Sequence, residues 1–227
     1  MKRWPLFAAI GYVVLLTGGA VIIPTMPDVN DSGDKLVAYY QDHSDGVRVA
    51  TWLITLSMIP IVLLIAHLRS RVMGMRRDVL LLGGAGLVVS TSVWSWFSVA
   101  LALHADTLDP QVARTIADVG AYFGPVATVS IVLLIVPIGL TAWEGNGGFP
   151  RWLAWLTAVF ALEQIIETIT VMGKRGFIAP GGAMNKTLGA GLGVVWIIAA
   201  GAATQATRGE AANPLRRSRT NASSRIR

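Results

Sequence analysis

"WLAWLTAVFALEQIIETITVM", residues 152–172, decides the kind of protein this is. Its first eleven residues are almost wholly apolar, and the stretch is long enough to cross a hydrocarbon core of about 30 Å as a helix. A strand is excluded, because the alternating pattern of a membrane barrel is absent and lipid leaves no partner for unpaired backbone groups. Yet the stretch carries Glu163, Gln164 and Glu167, where charge is costly.

Five further apolar stretches of similar length lie on either side, at 6–23, 49–67, 79–103, 121–142 and 187–206. The chain is 53% hydrophobic and only 14% charged, against about 25% charged in a soluble domain. The expected fold is therefore all-α, a polytopic integral membrane bundle of about six transmembrane helices. It divides into a transmembrane domain at 1–206 and a basic tail at 207–227. Cysteine is absent from the sequence, which excludes disulfides, iron–sulfur clusters and thiolate metal sites.

Basic residues sort by side. Lys2, Arg3, Arg69, Arg71, Arg76, Arg77, Arg151 and the tail arginines fall on one side of the spans. Lys35, Arg48, Arg114, Lys174, Arg175 and Lys186 fall on the other, where Asp28, Asp31, Asp34, Asp42 and Asp45 also lie. The positive-inside rule then places both termini in the cytoplasm of a multi-pass cell-membrane protein. Trp4, Trp143, Trp152 and Trp155 fall at that same inner boundary, as an aromatic belt would. The first span could also be read as a cleaved signal sequence. Its apolar run of about 18 residues is long for a signal core, so retention and six spans are expected. The net charge of +6 follows from this membrane-side distribution and calls for lipid rather than nucleic acid as the partner.

The outer loops contain two short helical patterns. In "DSGDKLVAYYQDH", residues 31–43, Leu36, Tyr40 and His43 share a face behind an Asp31 or Ser32 cap. In "DPQVARTIADVG", residues 109–120, Asp109 reads as the cap and Pro110 as the first helical position. Both are expected to lie along the outer membrane surface. The tail is polar and basic without apolar periodicity and reads as disordered.

Within the spans, Gly86 with Ser90 and Gly189 with Gly193 have the small-residue spacing that lets helices approach closely. Pro60 and Pro137 interrupt spans two and four. Span three, "STSVWSWFS" at 90–98, is unusually polar. Ser92 and Ser95 would serve as interhelical hydroxyls, and Trp94, Trp96 and Trp196 either pack or line a pocket. His43, His67 and His104 form no ligand spacing, so no metal is expected. No catalytic motif or cofactor fingerprint occurs; "GGAMNKT" at 181–187 lacks the glycine pattern of a phosphate loop.

The glutamates remain the strongest lead. Glu163, Glu167, Thr170 and Lys174 follow one helix face from about mid-membrane to the outer surface, whereas the inner half of the helix is apolar. That asymmetry predicts a vestibule open outward and closed below. Burial and mutual repulsion are expected to keep a proton on the pair unless Arg48 or Lys174 reaches Glu167. The expected ligand-binding set is Glu163, Glu167, Gln164, Ser92, Ser95, Trp94, Trp96 and Arg48.

The acidic outer loop ending in "YYQDHSDGVRVATWL" (39–53), the polar third span, "FPRWLAWL" (149–156) and "FIAPGGAMN" (177–185) together resemble a widespread bacterial family of small integral membrane proteins defined only as a domain of unknown function. The resemblance implies the fold and supplies no activity, cofactor or site residue. Three classes follow, in this order. The first is a protein that binds or senses a small apolar or cationic ligand, a small molecule or a lipid. The second is an accessory subunit pairing its polar stripe with another membrane protein. The third is a membrane enzyme using the carboxylates as acid and base.

Overall fold

The computed structural model describes residues 3–122, 124–173, 175–180 and 182–211, all of them helix or connection with no strand among them. The helices are α1 (Trp4–Ile22), α2 (Gly33–Arg69), α3 (Met75–Leu103), α4 (Pro110–Tyr122), α5 (Gly124–Trp143), α6 (Arg151–Glu167) and α7 (Ala190–Ala211). A 3₁₀ turn, Thr168–Met172, continues α6, and a π-helical turn, Met184–Gly189, leads into α7. Five of the helical stretches are long and apolar enough to cross a membrane, and α5 carries a shorter apolar run, Ala127–Trp143. Large apolar side chains such as Phe7, Ile59, Leu82 and Trp155 are exposed along the bundle. Water would oppose such a surface and lipid accepts it. The chain is an integral membrane protein.

Six helices pack in a ring: α1 on α2, α2 on α3, α3 on α5, α5 on α6, α6 on α7, and α7 back on α1. All six send residues into one apolar core. Close approach depends on glycine where backbones meet. Gly83 of α3 lies against the α5 backbone at Leu133 and Leu134, and Gly201 of α7 against Pro5 and Ala9 of α1. Gly86 faces Ser130 and Gly193 faces Phe160, so both of these predicted small residues serve helix contacts. At the end of the bundle opposite α4, Arg71 donates to the carbonyls of Gly147 at 3.3 Å and Thr204 at 3.0 Å, tying two connections to the ring.

The α4 end of the bundle departs from expectation. Residues 33–43 do not form a separate surface helix but the first turns of α2, which runs unbroken for 37 residues. At 1.5 Å per residue that is about 55 Å, so α2 stands well out of the hydrocarbon. Gly46 costs only about 1 kcal/mol within a helix, too little to break it. The extension is held by its own apolar face: Leu36, Tyr39, Tyr40 and Val47 pack with Leu101, Ala102, Ala113 and Ala117 of α3 and α4. Leu36 and Tyr40 are buried, His43 is half-buried, and Asp34 and Asp42 are exposed, as the face predicts. Asp109 caps α4 by accepting from the backbone N–H of Gln111 at 2.9 Å and Val112 at 3.0 Å. Arg114 fastens α4 to the α1–α2 connection through the carbonyls of Asp28 and Asp31. At the other terminus, α7 reaches Ala211, and the rest of the predicted tail lies outside the described residues.

Candidate functional site

Glu163, Gln164, Glu167 and Thr170 occupy one buried face of α6 and its 3₁₀ continuation. Glu163 is 7% exposed and Gln164 and Glu167 are 2% exposed each. The Gln164 amide nitrogen lies between the two carboxylates, donating to Glu163 Oε2 at 2.9 Å and to Glu167 Oε2 at 2.7 Å. Glu167 Oε1 accepts a short hydrogen bond from the Asn185 amide. Glu163 Oε1 and Gln164 Oε1 are buried without a hydrogen-bond partner. Among the described residues, the donors to the carboxylates are thus neutral amides, and Glu163 Oε1 and Gln164 Oε1 have none.

The helix geometry changes at this level. Regular α-helix ends at Glu167 on one side of the cluster, and on the other the chain enters α7 through the π-helical turn that carries Asn185 and Gly189. π-Turns recur at functional sites, because they displace the regular backbone ladder. Gly189 has no side chain where one would strike Glu167 Oε2, and Glu163 Oε1 lies 3.2 Å from the same point. Both carboxylates therefore converge on bare backbone. Beneath them, Phe160 and Trp196 close the interior with ring centroids 6.5 Å apart, and the Trp196 indole donates to Thr157 Oγ1 at 2.9 Å.

The expected vestibule is not an open one. Asn185 and the Gly189 backbone fill the space beside the carboxylates, and the buried Ala179 and Met184 belong to the connection that joins the two halves of the site. The cluster is enclosed. Lys174, expected as a partner, lies outside the described residues, as does the side chain of Lys186.

The remaining predicted residues lie elsewhere. Arg48, Ser95 and Trp96 line a groove of about 850 Å³ between α2 and α3, and Arg48 pairs with Asp45 at 3.4 Å, not with Glu167. Ser92 donates to its own helix at the Val88 carbonyl, 2.8 Å away. Trp94 faces Gly120 of α4. The single ligand set expected from the sequence is thus two separate places. Asn185 and Gly189 are the members that sequence reasoning did not assign to the site. An asparagine at the start of the last apolar stretch was the available signal for the first.

Outside the cluster, His67 packs edge-on to Trp4 at 4.9 Å and His43 stacks on Tyr39 at 4.8 Å. Among the described residues, three metal-ligating side chains do not come together. The fold defines a multi-pass helical membrane protein with an enclosed polar cluster. No protein-family model, curated protein or solved structure matches the chain.

Proposed function

We propose that this is a cell-membrane protein, with both termini in the cytoplasm, that binds a small monovalent cation at Glu163, Gln164, Glu167 and Asn185. The observation that carries the proposal is the donor deficit among the described residues: two enclosed carboxylates whose hydrogen bonds come from the neutral amides of Gln164 and Asn185, with Glu163 Oε1 unpartnered. Uncompensated charge in such surroundings costs several kcal/mol or more, so a positive species is required. A bare ion fits the enclosure better than an organic molecule, because Gly189 and Asn185 occupy the neighbouring space. A proton competes for the same oxygens. The ion enters from the α4 side, since Phe160 and Trp196 block the other.

Discontinuous helices are a recurrent way to hold ions within membranes, and the 3₁₀ and π turns flanking this cluster support that use. The orientation rests on the basic residues gathered at the side opposite α4, including Arg69, Arg71, Arg76, Arg77 and Arg151.

Thermal unfolding in mild detergent tests the proposal, comparing sodium chloride with N-methylglucamine chloride at equal ionic strength. Binding adds RT ln(1 + [L]/Kd), or about 2.7 kcal/mol at a hundredfold excess of ligand over Kd. Sodium should raise the Tm of the native protein. Glu163→Gln, isosteric and neutral, should fold and lose that response. Equal responses in the two proteins, or none in either, would overturn the assignment; a response abolished only by Lys174→Gln would favour a structural ion pair.

A further inference from the structure

The groove between α2 and α3 is separate from the carboxylate cluster and has a different chemistry. It opens to the membrane-facing surface on the α4 side, between Trp52 and Trp96, which are 61% and 67% exposed. Arg48 and Asp45 stand at its mouth, 54% and 93% exposed at their side chains and only 3.4 Å apart. So exposed a pair contributes little to stability and exchanges readily for other partners.

The groove walls contain two buried hydroxyls that differ from their neighbours. Thr55, Thr91, Ser92 and Ser98 each donate to a carbonyl of their own helix. Thr51 Oγ1 and Ser95 Oγ, on residues 4% and 1% exposed, have no partner. A buried hydroxyl left unpaired costs about 1–3 kcal/mol. Thr51 lies about 4.5 Å deeper along α2 than Arg48, and Trp52 and Thr55 line the groove below it. Along α2 from the mouth inward, the paired opposite charges come first and the Trp52 indole next, with Trp96 of α3 also lining the groove beyond its mouth.

That order matches one class of molecule. We propose that the groove binds a single phospholipid with a zwitterionic, primary-amine headgroup from the leaflet on the α4 side. Arg48 takes the phosphate, for which its planar donors are suited. Asp45 takes the ammonium. One acyl chain lies between Trp52 and Trp96. A purely anionic headgroup would satisfy Arg48 and face repulsion from Asp45. A choline headgroup would reach Asp45 but has no N–H to donate.

Native mass spectrometry of the full-length protein, equilibrated with phosphatidylethanolamine, phosphatidylglycerol or phosphatidylcholine of identical acyl chains, tests this. One phosphatidylethanolamine should be retained at least several-fold more than either competitor. Arg48→Gln should lower its retention several-fold. Asp45→Asn should abolish the preference over phosphatidylglycerol, and Trp96→Ala should weaken all three lipids together. Arg77→Gln, at the opposite end of the bundle, should change nothing. Equal retention of the three lipids, preference for phosphatidylglycerol, insensitivity to both mouth substitutions, or a protein dimer with no retained lipid would overturn the proposal.

Discussion

Gly189 presents bare backbone to the carboxylate of Glu167, at a distance where a methyl group and Oε2 could not both fit. Two helices that meet only over a short length thereby approach at the carboxylates as well as at the Phe160–Trp196 contact. Gly191, two residues on, faces open space. Gly189→Ala should therefore cost about 1–3 kcal/mol by overpacking and remove the sodium response. Gly191→Ala should leave both intact, since alanine favours the helix. Unfolding curves that do not distinguish the two variants would contradict this arrangement of the site.

The Trp196–Thr157 hydrogen bond closes the floor of the cluster. Thr157→Val keeps the shape and leaves a buried indole N–H unpaired, at about 1–3 kcal/mol. Adding Trp196→Phe removes that donor, so the double variant should lose less than the sum of the single losses. Strict additivity in a double-mutant cycle would show that the bond carries no coupling.

Arg76 of α3 grips Glu144, beyond the end of α5, through two hydrogen bonds of 2.7 Å. Hydrogen bonding from Arg76 holds the Glu144 carboxyl below its usual range. A carboxyl depressed in the folded state stabilises above its unfolded pKa of about 4.3, and that contribution is lost as pH falls through the lower folded value. Glu144→Gln should therefore lower Tm modestly at neutral pH, with the gap closing below about pH 4. A gap that is independent of pH would assign the effect to packing instead.

Single cysteines at Ser32, Thr107 and Ala183 should react with an impermeant maleimide on intact cells, and one at Met73 should not. All four positions are exposed on the protein, so access is governed by the membrane. Labelling at Met73 with protection at the other three would reverse the orientation.

Span positions were legible because apolar length and charge spacing are local properties of the chain. The ring order was not, since small residues such as Gly83 and Gly201 do not name the helix they will meet. α2 shows the limit of local reading. Asp42, Ser44 and Gly46 look like an interruption, but burial of Leu36 and Tyr40 against α4 carries the helix through them. Glu163, Gln164 and Glu167 announced themselves as polar groups in an apolar run. Asn185 and Gly189 join them only because α7 begins in a π turn beside α6, a tertiary event. Ser95 and Trp96 illustrate the same point at one residue's distance. Adjacent helical positions point about 100° apart, so Ser95 is buried while Trp96 is 67% exposed on the membrane face.

A small monovalent cation is proposed to occupy the enclosed carboxylates of Glu163 and Glu167. Infrared difference spectroscopy of the purified protein, with sodium exchanged for N-methylglucamine at constant pH, tests it most directly. Sodium should change the carboxyl bands of the native protein, with the change reduced in Glu163→Gln and Glu167→Gln and absent when both are substituted. Carboxyl bands that stay fixed on ion exchange in the native protein, at every pH across the carboxylate range, would contradict it.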